Sequence, residues 1–107
     1  HCMPGAGGPA GPSQLGGQDV IIRDGVVRLP DGTLAGSVLT LDVALRNAVT
    51  AGGKSLPEAA ALASGTAARY LGLHDRGQIS PGLRADLVVM TEEMQVREVL
   101  VGGQRRF

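Results

Sequence analysis

The sequence of 107 residues predicts a mixed α/β fold that is one piece of a larger structure. Residues 19–29 are rich in Val and Ile and indicate strands, residues 41–71 are rich in Ala and Leu and indicate helices, and residues 85–107 indicate strands again. Tyr70 and Phe107 are the only aromatic residues, so the core is built from aliphatic side chains, which bury less area than rings. The 17 glycines amount to roughly twice the usual ~7% share.

The first seventeen residues, His1 to Gly17, are predicted to form a loop. Three prolines interrupt any regular ladder there, and six glycines allow positive φ angles. Val20–Arg23 and Val26–Leu29 then flank Asp24-Gly25, and this pattern predicts a β-hairpin because Asp-Gly tolerates the positive φ of a tight turn. Pro30-Asp31-Gly32 predicts a second turn.

The stretch from Asp31 to Thr40 joins the strand-rich half to the helical half. It contains too many small residues for an ordinary core segment, and we predict a loop whose backbone contacts a ligand. The alternative is a tight connection from strand to helix with no ligand. Residue spacing alone favours neither interpretation.

Helical spacing begins after Thr40, which is a predicted N-cap. Apolar residues then follow the i, i+3, i+4, i+7, i+8 pattern of one buried face at Leu41, Ala44, Leu45, Ala48 and Val49. Ser55 and Glu58 form a predicted capping box for a second, Ala-rich helix. Ser64-Gly65-Thr66 is predicted to break that helix and to start a short third one.

The C-terminal part is predicted to return to strands. The predicted strands are Gln78-Ile79, Ala85–Met90, Val96–Val101 and Gln104–Phe107. The strands at the two ends of the chain are separated by the helical segment and a loop. The last strand therefore needs partners that this chain supplies poorly.

Composition excludes several classes of protein. The formal charge is zero and the charges are interspersed, so nothing favours nucleic acid or an anionic membrane as partner. A single cysteine excludes an internal disulfide and a multi-cysteine zinc site. No apolar run approaches the roughly 20 residues of a membrane span, and the N-terminus lacks signal-peptide features. We expect a soluble, cytoplasmic protein.

Few residues of this sequence are suited to catalysis or to metal binding. The two histidines are not at metal-ligand spacing, and His74 is interpreted as a surface loop residue rather than a ligand. Cys2 has no identifiable base as partner, which favours a small buried or terminal residue over a nucleophile. Gly5-Ala6-Gly7-Gly8 lacks the preceding strand and following helix of a phosphate cradle. Asp86 is interpreted as a structural hydrogen-bonding carboxylate rather than an acid catalyst.

Two sets of residues together resemble a known family. Gly77–Val89 resembles the G-x-I-x-P-G-x-x-A-D-L-V-V signature near the C-terminus of amidohydrolase-superfamily enzymes. Asp31–Ser37, Leu39–Leu41 and Arg46-Asn47, with Met3–Gly7 upstream, resemble the N-acetylglucosamine-6-phosphate deacetylases more narrowly. The resemblance is colinear and covers essentially the whole chain.

The resemblance implies an α/β fold class in which an eight-stranded β/α barrel carries a small β-sandwich built from both chain ends. Residues 1–76 would be the C-terminal part of the barrel domain, comprising its last loop, hairpin and helices. Residues 77–107 would be the C-terminal strands of the sandwich. The resemblance further implies a homodimer, a missing upstream barrel as partner, and a divalent metal, zinc or similar, bound outside this segment.

The resemblance also implies site residues. The family's general acid/base is an aspartate, and a gapless alignment of Met3–Gly7 places it at His1. That role needs a group that takes a proton from metal-bound water and gives it to the leaving amine. A histidine titrates near neutrality and is able to carry a proton; otherwise the first residues are a damaged, tagged or misassigned start. Leu34, Ala35 and Gly36 would touch the sugar phosphate, largely through backbone, and no metal ligand is implied.

The predicted function is therefore that of a C-terminal segment of a metal-dependent hydrolase that converts N-acetylglucosamine 6-phosphate to glucosamine 6-phosphate and acetate. The isolated segment is expected to be inactive, because a proton carrier without its metal cannot generate the nucleophile. One alternative is another amidohydrolase, such as a dihydroorotase-like or allantoinase-like cyclic amidase that shares the Gly77–Val89 signature. The other is a non-catalytic fragment or interaction module.

Overall fold

The computed structural model describes residue 3 and residues 5–107. It divides into two compact units, residues 1–40 and residues 41–107. The first unit contains a four-stranded antiparallel sheet, and the second contains helices and a three-stranded antiparallel sheet. The predicted mixture of helix and strand is confirmed, and every ladder between described residues is antiparallel.

The sheet of the first unit is a meander in which each strand pairs with the next one along the chain. Its strands are β1 (Gly11–Leu15), β2 (Gln18–Arg23), β3 (Val26–Arg28) and β4 (Leu34–Ser37). The predicted hairpin at Asp24-Gly25 is confirmed. Both residues have positive φ, 51° and 74°, as a two-residue turn between twisted strands requires.

The core of the first unit lies on one face of this sheet. Val20 and Val27 are fully buried, at 1% and 0% exposure, and Met3 and Ile22 pack with them. Alternate residues of β2 point to opposite faces, so Ile21, between the two buried residues, is exposed. Each buried aliphatic side chain of this kind contributes roughly 1.5–3 kcal/mol.

Two predictions for this unit are wrong. Residues 11–15 form strand β1 rather than loop, and Pro12 is accommodated because β1 is an edge strand, where its missing N–H costs no ladder bond. The predicted loop from Asp31 to Thr40 contains strand β4, because Leu34–Ser37 finds a pairing partner in β3.

The helical part of the second unit consists of α1 (Leu41–Thr50), α2 (Leu56–Ala60), a π-helical turn (Ala61–Gly65) and α3 (Thr66–Tyr70). The capping box is confirmed, since the backbone N–H of Ser55 donates to the Glu58 carboxylate at 2.8 Å. The longest of these helices has ten residues, and no helix in the described part of the chain has the length and hydrophobicity of a membrane span.

The predicted helix break at Ser64-Gly65-Thr66 is wrong. Gly65 and Thr66 keep helical angles, with φ of −60° and −67°, and the helix widens into a π turn instead of ending. Gly65 is buried against Gly77, whose carbonyl oxygen would lie 2.9 Å from a Cβ added at Gly65. The glycine therefore provides close packing rather than a chain break.

The second sheet consists of β5 (Leu87–Met90), β6 (Val96–Val101) and β7 (Gln104–Arg105), paired in that order. The predicted strand at Gln78-Ile79 is wrong, since Ile79 is 90% exposed and these residues join no described ladder. The last strand is shorter than predicted, and the expectation that this chain supplies its partners poorly is wrong, since β7 pairs with β6. Arg106 N–H also donates to the carbonyl of Val99 at 2.8 Å.

Candidate functional site

The three predicted ligand-contacting residues lie together on β4, at the edge of the first sheet. β3 pairs Arg28 with Leu34 and Val27 with Gly36, so Ala35 is the extra residue of a β-bulge. A bulge leaves its extra residue unpaired in the ladder and redirects neighbouring side chains. The bulge is the feature that sequence reasoning missed, because it depends on register with β3 and has no signal in residues 34–36.

Leu34 and Gly36 differ in their surroundings. Leu34 is 66% exposed, whereas Gly36 is half-buried. A Cβ added at Gly36 would lie 3.3 Å from Cδ2 of Leu15 and 4.0 Å from Sδ of Met3. Packing against Leu15 therefore explains the glycine without a ligand, while the exposure of Leu34 leaves its side chain available for one.

The turn before β4 is held by four hydrogen bonds. Thr33 N–H donates to Oδ1 of Asp31 at 2.9 Å, and this bond lowers the pKa of the Asp31 carboxyl below its ordinary value. Leu29 donates to the carbonyl of Thr33 and accepts from Gly32, both at 2.9 Å. Arg28 donates from Nη1 to the Gly32 carbonyl at 2.8 Å. The start of β4 is therefore well defined.

The far end of β4 is held at Ser37. Its carbonyl accepts from the N–H of Met3 at 3.3 Å, and its hydroxyl accepts from the N–H of Leu39 at 3.0 Å. Met3 therefore borders the outer edge of β4. The predicted catalytic residue His1, and Cys2, lie outside the described residues.

The glycine-rich segment near the start forms turns. Ala6 N–H donates to the carbonyl of Met3 at 2.9 Å, and Gly8 N–H donates to that of Gly5 at 3.1 Å. These two N–H groups are used within the backbone, in agreement with the interpretation that the segment is not a phosphate cradle.

Surface depressions among the described residues include the following two. The larger, about 400 Å³, lies at one end of the first sheet and is lined by Gln18, Asp19, Leu29, Pro30 and Asp31. The smaller, about 130 Å³, is lined by Gly65, Arg69, Leu73, His74, Arg76, Gly77 and Gln78. Neither includes the three candidate residues of β4. His74 is exposed, as predicted for a surface loop residue.

Asp86 of the Gly77–Val89 signature is a structural carboxylate, as predicted. It accepts from Nε of Arg84 at 2.8 Å and from the backbone N–H of Gly102 at 2.7 Å. Arg76 adds an ion pair at 3.6 Å. The Arg84 side chain, then the Gly102 N–H, hold the pKa of Asp86 below its ordinary value.

Asp75 and Arg76 extend this network toward the signature. Arg76 donates from Nε and Nη2 to the two carboxylate oxygens of Asp75, at 2.9 and 2.8 Å. These bonds lower the pKa of Asp75 and raise that of Arg76. Asp75 also accepts the backbone N–H of Arg84 through its carbonyl at 2.7 Å. The signature therefore ties the segment after α3 to the turn between β6 and β7.

The described residues do not fit a metal ion. No group of three His, Cys, Asp or Glu side chains in this part of the chain is arranged to hold one. The carboxylates that lie closest to other charged groups, Asp75 and Asp86, are occupied by arginines.

The sequence model of the Amidohydrolase family matches residues 19–106. The chain belongs to this family. One relative is N-acetylgalactosamine-6-phosphate deacetylase of Escherichia coli O157:H7, to which the chain is 40% identical over 103 residues. The aligned region covers 95% of this chain and 27% of the relative. The chain is 36% identical over 104 residues to N-acetylglucosamine-6-phosphate deacetylase of Lysinibacillus sphaericus, covering 97% of the chain and 27% of the relative.

A solved amidohydrolase structure shows the same fold. The crystal structure of N-acetylglucosamine-6-phosphate deacetylase from Thermotoga maritima superposes with a TM-score of 0.89 at 40% identity. The match covers 97% of this chain and 29% of that one. The resemblance seen in the sequence is therefore confirmed, and the chain spans little more than a quarter of the length of these relatives.

Proposed function

We propose that this chain is the C-terminal segment of a metal-dependent hydrolase that removes the acetyl group from N-acetylglucosamine 6-phosphate. The products are glucosamine 6-phosphate and acetate. The observation that carries the proposal is the colinear likeness to the Thermotoga maritima deacetylase, at 40% identity over nearly the whole chain. The narrower sequence match at Asp31–Ser37 supports the same assignment.

The proposal retains the domain assignment drawn from the resemblance. Residues 1–76 are assigned to the C-terminal part of a β/α barrel, and residues 77–107 to the strands of a small β-sandwich. The partner of this segment is then the upstream barrel of the same polypeptide. We also propose that the complete protein forms a homodimer and is located in the cytoplasm.

Within this proposal, Leu34, Ala35 and Gly36 contact the sugar phosphate. The bulge at Ala35 supports this role, because a residue outside the ladder has backbone groups available for a polar ligand. The exposure of Leu34 supports it as well. Position 1, occupied by His1, is proposed as the position of the proton carrier.

The divalent metal of the proposed enzyme is assigned to residues outside this segment. The assignment follows the resemblance, which implies that the metal is bound outside this segment. Such an ion would supply an activated water for hydrolysis of the acetamide. The role left to this chain is to bind the sugar phosphate and to carry a proton.

A second candidate substrate is N-acetylgalactosamine 6-phosphate. The observation behind it is the 40% identity to the Escherichia coli deacetylase named for that sugar, which equals the identity to the Thermotoga maritima enzyme named for the glucose epimer. A cyclic amidase is disfavoured, because these relatives match over nearly the whole chain and not only over the Gly77–Val89 signature.

The test is acetate release by the complete protein, supplied with zinc, from the two phosphorylated sugars and from unphosphorylated N-acetylglucosamine. We expect turnover of N-acetylglucosamine 6-phosphate, loss of turnover when the metal is chelated, and weak activity on the unphosphorylated sugar. Faster turnover of the galactose epimer would establish the second candidate. Turnover of neither sugar phosphate, or equal turnover after complete metal removal, would contradict the proposal.

The segment of residues 1–107 by itself is expected to release no acetate with zinc present. The described residues offer no ligand set to bind the ion. Acetate release by this purified segment would show that the reaction does not require metal ligands outside the segment.

A further inference from the structure

The sequence contains two Asp-Gly pairs, Asp24-Gly25 and Asp31-Gly32, and the proposed function uses neither as a reacting group. All four residues are exposed, and both glycines have positive φ, 74° at Gly25 and 89° at Gly32. Both pairs belong to turns of the same sheet. They therefore form a matched comparison of one dipeptide in two environments.

In the Asp31-Gly32 pair, the groups able to react with each other are the side-chain carboxylate of Asp31 and the backbone nitrogen of Gly32. Both are hydrogen-bonded to other residues. The carboxylate accepts the N–H of Thr33 through Oδ1 at 2.9 Å, which restrains the side chain. The backbone nitrogen of Gly32 donates to the carbonyl of Leu29 at 2.9 Å. Reaction between them requires both hydrogen bonds to break.

At Asp24 neither constraint is present. Among the described residues, no hydrogen bond or ion pair engages the Asp24 carboxylate. Gly25 lies within the two-residue turn, beyond the terminal ladder pair of Arg23 and Val26. No atom lies within 4 Å of a Cβ added at Gly25 or at Gly32, so both turns are open and the hydrogen bonds are what distinguishes the two pairs.

We propose that Asp24 is a site of spontaneous isoaspartate formation and that Asp31 is protected. The backbone nitrogen of Gly25 attacks Cγ of Asp24 and forms a C–N bond. The C–OH bond of the carboxyl group breaks, and the hydroxyl leaves as water with the amide proton, which gives a five-membered succinimide. Water then adds to the ring, and opening at the α-carbonyl leaves the main chain running through Cβ and Cγ, with no net change in mass.

The product matters because of the position of the turn. Isoaspartate adds a backbone carbon to the two-residue connection between β2 and β3, whose geometry sets the register of these strands. The same strands carry the buried residues Val20, Ile22 and Val27. The modified turn exposes an α-carboxylate on an isoaspartyl residue, which is the substrate of isoaspartyl carboxyl methyltransferases, and this class of enzyme is the expected partner.

The experiment compares the two pairs in the complete folded protein during incubation near neutral pH. Isoaspartate is located by electron-transfer fragmentation of peptides, and its total is measured by enzymatic methylation. The denatured protein in the same buffer is the reference. We expect isoaspartate to accumulate several-fold faster at Asp24 than at Asp31 in the folded protein, and the two rates to converge on denaturation. Equal rates in the folded protein, a faster rate at Asp31, or no product at Asp24 overturns the inference.

Two variants sharpen the comparison, with thermal melting as the check that each is folded. Asp24→Asn keeps a residue suited to positive φ and passes through the same succinimide with ammonia as the leaving group, so product at this position should form faster. Asp24→Glu requires a six-membered ring, and total isoaspartate should fall by the amount located at Asp24 in the unsubstituted protein. Unchanged total product in Asp24→Glu would contradict the assignment.

Discussion

The backbone N–H of Gly102 donates a hydrogen bond of 2.7 Å to the carboxylate of Asp86, across 16 residues of sequence. Asp86 also accepts from Arg84, so one carboxylate joins the start of β5 to the turn that follows β6. Asp86→Ala should lower the melting temperature of the protein, because the N–H of Gly102 and the Arg84 guanidinium both lose their acceptor. Glu92→Ala, at an exposed position of the turn between β5 and β6, is the control. Equal melting temperatures of the two variants would contradict this role.

The two adjacent isoleucines of β2 provide a matched test of the first core. Ile22 is 7% exposed and Ile21 is 44% exposed, on opposite faces of the strand. Ile22→Val should lower the free energy of unfolding by about 1 kcal/mol, because it removes a buried methylene and leaves a small cavity. Ile21→Val should cost less than about 0.5 kcal/mol. Chemical denaturation of both variants measures the difference, and a larger cost at Ile21 would place the core on the other face.

Variants at Gly36 distinguish a role in packing, which affects stability, from a role in ligand contact, which affects KM. Gly36→Ala should destabilise the protein, because the new Cβ would lie 3.3 Å from Cδ2 of Leu15 and that side chain must move. In a Leu15→Ala background the clash is absent. Gly36→Ala should therefore lower the free energy of unfolding less in that background than in the unsubstituted protein. If Gly36 contacts the sugar phosphate, the double variant should still show a raised KM with little change in kcat. A KM restored along with stability would indicate packing alone.

The ion pairs around the signature predict acid sensitivity. Hydrogen bonds from Arg76 lower the pKa of Asp75, and those from Arg84 and Gly102 lower the pKa of Asp86, below the ordinary value of 3.8. The unfolded state therefore binds protons first as the pH falls. The stabilisation is present above about pH 3.8 and is lost as the pH drops through the folded pKa values.

Melting temperatures measured from neutral pH to below pH 3.8 should therefore fall less steeply for Asp75→Asn and Asp86→Asn than for the unmodified protein. Asp19→Asn, at an exposed position of the first sheet, is the control. An unchanged slope in both test variants would show that these carboxylates do not couple stability to pH.

Elements specified by local chemistry were predicted correctly from the sequence. The Asp24-Gly25 hairpin follows from the positive φ that these residues accept, and the capping box follows from Ser55 and Glu58 three residues apart. Strand β6 and the structural role of Asp86 were also anticipated. The family assignment depends only on the order of residues along the chain.

Elements that depend on distant partners were decided by the tertiary structure. Strand β1 forms in spite of Pro12 because β2 pairs with it, and β4 forms because β3 pairs with it. The bulge at Ala35 exists only in register with Val27 and Arg28, and Gly65 continues its helix while packing against Gly77.

The sequence by itself therefore determined the hairpin turn and the capping box of α2, because each rests on residues close together in the chain, and it determined the family, because that match follows the order of residues along the chain. The tertiary structure decided which stretches became strands, where the ladder bulges, and which of two identical Asp-Gly pairs has its carboxylate held by hydrogen bonds. Backbone pairing and side-chain contact act between segments far apart in sequence, and no local preference of Leu34, Ala35 or Gly36 specifies them.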